Sequence, residues 1–229
     1  MDRVIAYIDG LNLYYGIKES QWKKYYWLNL VKLVRQFLPA NQTLLKVKYF
    51  TSCVSSSDPS KSLRQMTFFN ALTYTCGQDL EIIKGNFLKK EVRCTTHRQL
   101  SGKSGFSPCK QYSGRNCDGT FIIHEEKKTD VNIATSLLVD AFTNLYDIAY
   151  LVSGDTDLIP PVKVIASPPL NKNIVVLFPP RRASDEIKNL LEVSKSSQIK
   201  ESHLQLSLLP DRIVVPRSGA ILFKPPQWN

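Results

Sequence analysis

Four aspartates in this chain occupy positions where an α/β fold would gather them. The apolar run Val4-Ile5-Ala6-Tyr7-Ile8 ends in Asp9-Gly10-Leu11-Asn12, and Ile148-Ala149-Tyr150-Leu151-Val152 ends in Ser153-Gly154-Asp155-Thr156-Asp157. Runs of this kind read as strands buried on both faces. In open parallel sheets, ligands bind beyond the carboxyl ends of the strands. Asp130 opens a further element, an amphipathic helix, with Glu125 and Glu126 just before it. Carboxylates gathered at one edge repel one another unless a cation joins them. Oxygen-only donors favour Mg²⁺ or Mn²⁺ over zinc. Such a cation can activate water and offset charge building on phosphorus. Asn12 can offer its amide oxygen to a water on the cation, or hold the turn. Any one aspartate alone reads more simply as a turn former or helix cap; their convergence is what points to a metal.

The elements that must position these residues alternate along the chain. Strands are expected at 3–8, 44–51, 80–83, 148–152 and 174–178. Helices are expected at 28–38, from Asp58-Pro59-Ser60 to Cys76 with Gly77 as its stop, at 130–145 with Thr129 as N-cap, at 156–166 with Pro160 and Pro161 in its first turns, and at 184–193. The alternation predicts an α/β fold with a mainly parallel sheet. The stretch 85–125 is rich in Lys, Arg, Ser, Gly and Cys and too long for an ordinary connection, so it reads as an insertion. Beyond residue 199 the chain reads as an extended, Pro-containing tail that docks on the body or on another subunit. The expected division is therefore a main domain over 1–195 and an extension over 196–229.

With 229 residues and 43% hydrophobic content the chain can bury one substantial core, and disorder is not expected. The net charge of +10 suits a polyanionic partner approaching an acidic pocket. No secretory leader or run long enough to cross a bilayer is read from the sequence. A cytoplasmic protein with reduced or metal-bound cysteines is expected.

Three of these stretches carry a family resemblance. Tyr7-Ile8-Asp9-Gly10-Leu11-Asn12-Leu13 resembles the opening motif of NYN domains, in the LabA-like branch of the PIN-like nuclease superfamily. Glu126-Lys127-Lys128-Thr129-Asp130-Val131 resembles the second motif, E-K-G-x-D-V, with Lys128 in place of the usual Gly. Ser153-Gly154-Asp155-Thr156-Asp157-Leu158, followed by Pro160, resembles the third, S-G-D-x-D-F-x-P, with Leu158 in place of Phe. The resemblance implies a Rossmann-like, PIN-like three-layer sandwich and a metal-dependent ribonuclease site. It assigns Asp9, Asp130, Asp155 and Asp157 to Mg²⁺ or Mn²⁺, with Asn12 in support and Glu126 serving either the site or the turn. The reaction it implies is hydrolysis of an RNA phosphodiester.

The insertion poses a separate question. Cys94-x-x-His97 has the spacing of a structural zinc knuckle, and Cys109 and Cys117 could complete a tetrahedron, with His124 as a substitute ligand. Seven residues separate Cys109 from Cys117, which is not a second knuckle. Structural Zn²⁺ and unpaired thiols therefore both stay open. Cys53 and Cys76 read as small buried hydrophobes.

Several features point to the partner. Lys89, Lys90, Arg93, Arg98, Lys103, Lys110 and Arg115 make the insertion a basic flap. Near the first motif, Tyr14, Tyr15, Trp22, Tyr25, Tyr26 and Trp27 interleave with Lys18, Lys23 and Lys24. Exposed rings there would stack on unpaired bases of single-stranded RNA; buried, they would simply pack on the sheet. Arg181-Arg182, after Pro179-Pro180, also falls near a strand end. A haloacid-dehalogenase phosphatase needs a second Asp two residues after the first, where this chain has Leu11. The remaining alternative is a non-catalytic RNA-binding or scaffold protein on the same fold. A homo-oligomer is left open.

Overall fold

The computed structural model describes residues 1–53, 59–93, 120–190, 192–215 and 219–229. Its centre is a seven-stranded sheet built from β1 (Asp2–Asp9), β2 (Gln42–Ser52), β3 (Leu80–Arg93), β4 (Thr120–Lys127), β5 (Ile148–Val152), β6 (Asn173–Phe178) and β7 (Lys195–Gln198). The strands lie in the order β4-β3-β2-β1-β5-β6-β7. All neighbours are parallel except β3 and β4, which pair antiparallel. From β1 the chain winds outward through β2 and β3, then returns to β1's other side and winds outward again through β5, β6 and β7. That reversal makes the carboxyl ends of β1 and β5 the switch point of a doubly wound fold.

Period-two alternation sorts the strand residues between two cores. Val4, Ala6 and Ile8 of β1 face one core, together with Val47, Tyr150, Val152 and Leu177. Covering it are α1 (Gly10–Glu19), α2 (Leu30–Arg35) and α3 (Pro59–Cys76). Ile5 and Tyr7 face the other core with Phe50, Leu151 and Val176. There the cover is α4 (Thr129–Phe142), α5 (Ile159–Ala166) and the short α6 (Asp185–Lys188). The α/β sandwich with a mainly parallel sheet expected from the sequence is thus observed, with helices on both sides.

Several boundaries differ from the sequence reading. Helix α1 was not expected, because Gly10 and Gly16 interrupt its pattern. Both glycines are there for packing: a Cβ on Gly10 would meet the Phe50 carbonyl, and one on Gly16 would meet the Pro180 carbonyl. The expected 28–38 helix is confined to α2, because Asn29 caps it through its side chain to Lys32 N–H at 2.8 Å and Leu28 is drawn into a bridge with Leu208. The 80–83 strand runs on to Arg93, because β4 pairs along its length. The 184–193 helix shrinks to α6. Gly77, at φ +53°, ends α3 as expected.

The tail is not extended throughout. It forms α7 (Glu201–Leu206), a hairpin of β8 (Arg212–Val214) with β9 (Ile221–Phe223), and a final turn at Pro226–Trp228. Leu204 and Leu209 enter the first core, and Trp27 Nε1 donates to the Pro210 carbonyl at 2.9 Å. The tail therefore docks on the body of its own chain. Among the described residues, no helix is long and apolar enough to cross a membrane.

Candidate active site

The two central strands deliver their carboxylates side by side. Asp9 is the last residue of β1 and caps α1: its Oδ1 accepts from Asn12 N–H at 3.0 Å. Asp155 follows β5 and caps a 3-10 turn, accepting from Asp157 N–H at 3.0 Å. Asp130 lies in the first turn of α4, where the exposed N–H groups favour an acid. Each aspartate thus has the ordinary local role that its position suggests. They nevertheless converge: one carboxylate oxygen from each of Asp9, Asp130 and Asp155 lies within 4.8 Å of the other two.

A small hydrogen-bond web sets this geometry. Ser153 is fully buried; its Oγ donates to Asp9 Oδ2 at 2.9 Å and accepts from Asp155 N–H at 3.1 Å. Asn12 Oδ1 accepts from Gly154 N–H at 3.0 Å. The turn after β1 and the turn after β5 are therefore stitched together by two side chains. Asn12 spends its amide oxygen on holding the turn, one of its two expected roles. Ser153 was not singled out from the sequence; a small hydroxyl before Gly-Asp has no signal of its own until its burial is known.

Electrostatics mark Asp9 as the unusual member. It is 3% exposed, and burial pushes its carboxyl up to about 6. Asp130 and Asp155 add to the rise, while the bonds from Asn12 and Ser153 oppose it. A buried carboxylate facing two others is costly to ionise without a counter-charge. Three oxygen donors at this spacing, one of them destabilised as an anion, suit a hard divalent cation.

The other expected site residues fall as follows. Asp157 is exposed and stands outside the cluster of three. Glu126 pairs through its backbone with Phe87 in the β3–β4 ladder. Lys128, which replaces the motif's glycine, sits at φ +80°, in the left-handed region that favours glycine. It precedes α4 with no side-chain cap bond; Thr129, expected as N-cap, is the first helical residue and is buried. Cys94, His97, Cys109 and Cys117 lie outside the described residues. Cys53, expected to be buried, is exposed just past the end of β2, and Cys76 is half-buried. Their places at element ends leave them short of full cover.

The wall beside the cluster is tight. A Cβ on Gly154 would collide with the Arg182 carbonyl, so the loop after β6 presses on the loop after β5. Arg182 pairs with Glu19 and lies 5.8 Å over the Tyr15 ring. Its neighbour Arg181 is exposed at φ +57°. The aromatic segment divides: Tyr25 and Trp27 are buried, whereas Tyr14 and Tyr15 are 40% and 42% exposed.

Behind the site, a polar group holds α4 to the sheet. Asp140 is 3% exposed and accepts from Tyr7 Oη at 2.6 Å and Lys48 Nζ at 2.7 Å. The sequence carried a hint, since Asp140 falls on the buried face of α4 beside Leu137 and Ala141. A carboxylate there needs a partner. Desolvation and the bond to Asp140 together push the Tyr7 hydroxyl far above its ordinary range.

A doubly wound sheet with three carboxylates at its switch point defines an α/β protein with a candidate site for a divalent cation. The NYN domain family model matches residues 3–192, and the chain belongs to that family. Among curated proteins it is similar to the 6-hydroxy-3-succinoylpyridine 3-monooxygenase HspA of Pseudomonas putida (strain DSM 28022 / S16), 26% identical over 183 residues. That match covers 71% of this chain and 55% of the relative, so the chain spans about half the relative's length. No solved structure matches it.

Proposed function

We propose that this protein is a metal-dependent ribonuclease that hydrolyses RNA phosphodiester bonds at Asp9, Asp130 and Asp155. The observation that carries the proposal is the convergence of these three carboxylates, on three separate elements, at the β1–β5 switch point. Family membership supports it, because NYN domains belong to a nuclease superfamily. The net charge of +10 around an acidic pocket favours a polyanionic substrate.

The donor set fits Mg²⁺ or Mn²⁺. When bound, the cation supplies acidity to water and positive charge opposite the phosphorus centre. The chain's own contribution is placement. Ser153 and Asn12 hold Asp9 and lock the two loops that carry Asp9 and Asp155. The first turn of α4 presents Asp130 from the other side. Asp157, exposed two residues after Asp155, would be a further carboxylate available to a cation, as its place in the family motif implies. Residues 1–195 form the nuclease unit in this reading and 196–229 its extension. A zinc site formed by Cys94, His97, Cys109 and Cys117 remains a companion proposal, tested by metal analysis: absence of stoichiometric zinc in the purified protein removes it.

The named relative suggests oxygenation of a pyridine ring as a second reading. Similarity at 26% over about half of that protein does not carry a substrate across. Non-catalytic RNA binding is the other reading. One experiment separates the three: labelled single-stranded and structured RNAs incubated with Mn²⁺, Mg²⁺ or chelator, with and without dioxygen. Metal-dependent cleavage that is indifferent to dioxygen and lost in Asp155→Asn supports the ribonuclease. Binding without cleavage by the wild-type protein overturns it.

A further inference from the structure

A cavity of about 430 Å³ opens beside the carboxylates on the α1–α3 side of the sheet. Two of its lining residues place it next to the cluster. Gly10 directly follows Asp9. Ser52, at the end of β2, has its Oγ 3.3 Å from Thr129 Oγ1, the residue before Asp130. The cavity therefore begins directly after Asp9, and through Ser52 and Thr129 its edge adjoins the start of the helix that carries Asp130.

Its lining is unusual for a site that handles phosphate. Tyr14, Tyr26, Phe68 and Trp228 supply rings. Tyr14 and Tyr26 lie 5.0 Å apart and tilted by 31°, and Tyr26 meets Trp228 edge-on at 5.8 Å. Lys18 and Lys61 are exposed members of the same lining, and Arg64 is half-buried. An aromatic wall with cations beside it matches a planar heteroaromatic ring that carries an anionic arm.

We propose that this cavity is a nucleobase pocket, which takes one unpaired base of a single-stranded RNA and so sets the adjoining phosphate over the carboxylates. The inference rests on the ribonuclease reading and deepens it by naming single strands as the substrate. Charge complementarity favours this occupant: Lys18 Nζ lies 6.0 Å and 5.5 Å over the Tyr14 and Tyr15 rings, so positive charge accompanies the aromatic wall along which a phosphate backbone would pass. Trp228 also gives the C-terminal tail a task, because it reaches back to wall the pocket and packs on Tyr26, Trp27 and Phe68. The rings are sequence-tolerant surfaces, so the pocket selects unpaired over paired bases rather than one base over another.

The test is binding in chelator, where no turnover occurs. Anisotropy is followed with a fluorescent single-stranded RNA, the same strand carrying one abasic position, and the same sequence as a duplex. Wild-type protein should prefer the intact single strand. Tyr14→Ala, at an exposed side chain, should weaken that binding roughly 5- to 150-fold, the range for loss of one base–aromatic stack. The abasic strand, placed in the register of the pocket, should lose a similar factor with wild type and little more with Tyr14→Ala. Trp228→Leu should act in the same direction, with melting curves reporting whether the tail stays docked. Equal affinity for intact and abasic strands, or for single strand and duplex, overturns the pocket. So does binding of a hydroxypyridine carboxylic acid that RNA fails to displace. Because these readouts need no cleavage, they are independent of the metal experiment: an inactive protein that still discriminates abasic strands loses the ribonuclease reading and keeps the pocket.

Discussion

Replacing Asp9 with asparagine should make the metal-free protein more stable. Asp9 is 3% exposed and its carboxyl is raised from 3.8 to about 6, mainly by burial. At 1.36 kcal/mol per tenfold, that difference is about 3 kcal/mol held against the folded state once Asp9 ionises. A raised carboxyl carries its relative stability below pH 3.8 and loses it as pH climbs through about 6. Asparagine caps helices as well as aspartate does. Its oxygen can still accept from Asn12 N–H, and its amide can donate to Ser153 Oγ, which keeps its bond from Asp155 N–H but loses the acceptor for its own proton, at a cost of about 1 kcal/mol. Urea denaturation in chelator should therefore show Asp9→Asn more stable than wild type by about 1–3 kcal/mol at pH 8 and by less than about 1 kcal/mol at pH 4. Adding Mn²⁺ should reverse the ranking. Wild type gains by mass action, about 4.1 kcal/mol at one thousand times its dissociation constant, and the variant forgoes that gain. If Asp9→Asn is less stable at pH 8 in chelator, the bond from Ser153 to the carboxylate outweighs the cost of the buried charge and the strained-carboxylate reasoning fails.

Other outcomes follow from the same geometry. Lys128→Gly relieves a left-handed residue at φ +80° and should raise stability by about 1 kcal/mol; a lower denaturation midpoint would show that the lysine side chain outweighs the backbone. Gly154→Ala forces the β5 loop off the Arg182 carbonyl and should lower stability by about 1–3 kcal/mol, with cleavage falling further than stability because Asp155 is displaced. Asp140→Ala strands Lys48 and Tyr7 at a site where both lie largely buried and should cost about 3–5 kcal/mol, read by thermal or urea melting; an unchanged melting point would mean the network is dispensable.

How much was legible in sequence can be traced residue by residue. Asp9 and Asp155 announced themselves because Asp9 directly follows an apolar run and Asp155 falls in the Gly-containing turn after another, where ligands of a parallel sheet bind. Asp130 was found because α4's apolar stripe starts beside it. The α/β alternation and most strand positions came from the same patterning. Helix α1 did not, since its glycines serve contacts with Phe50 and Pro180 that no local rule contains. Cys53 looked like a core residue because strand patterning cannot tell where a strand leaves the sheet.

The sequence by itself pointed to the class of fold, the family motifs and four candidate aspartates, because these depend on local period and on residue type at element ends. Only the tertiary structure decided that Ser153 bridges Asp9 and Asp155, that Asn12 ties the two loops, and that Asp157 stands apart. It also turned a scatter of tyrosines into one cavity and brought Trp228, more than two hundred residues later in the chain than Tyr26, against that ring. The physical reason is range. Hydrophobic period and capping act over a few residues, whereas burial, charge crowding and ring contacts exist only after distant segments have packed together.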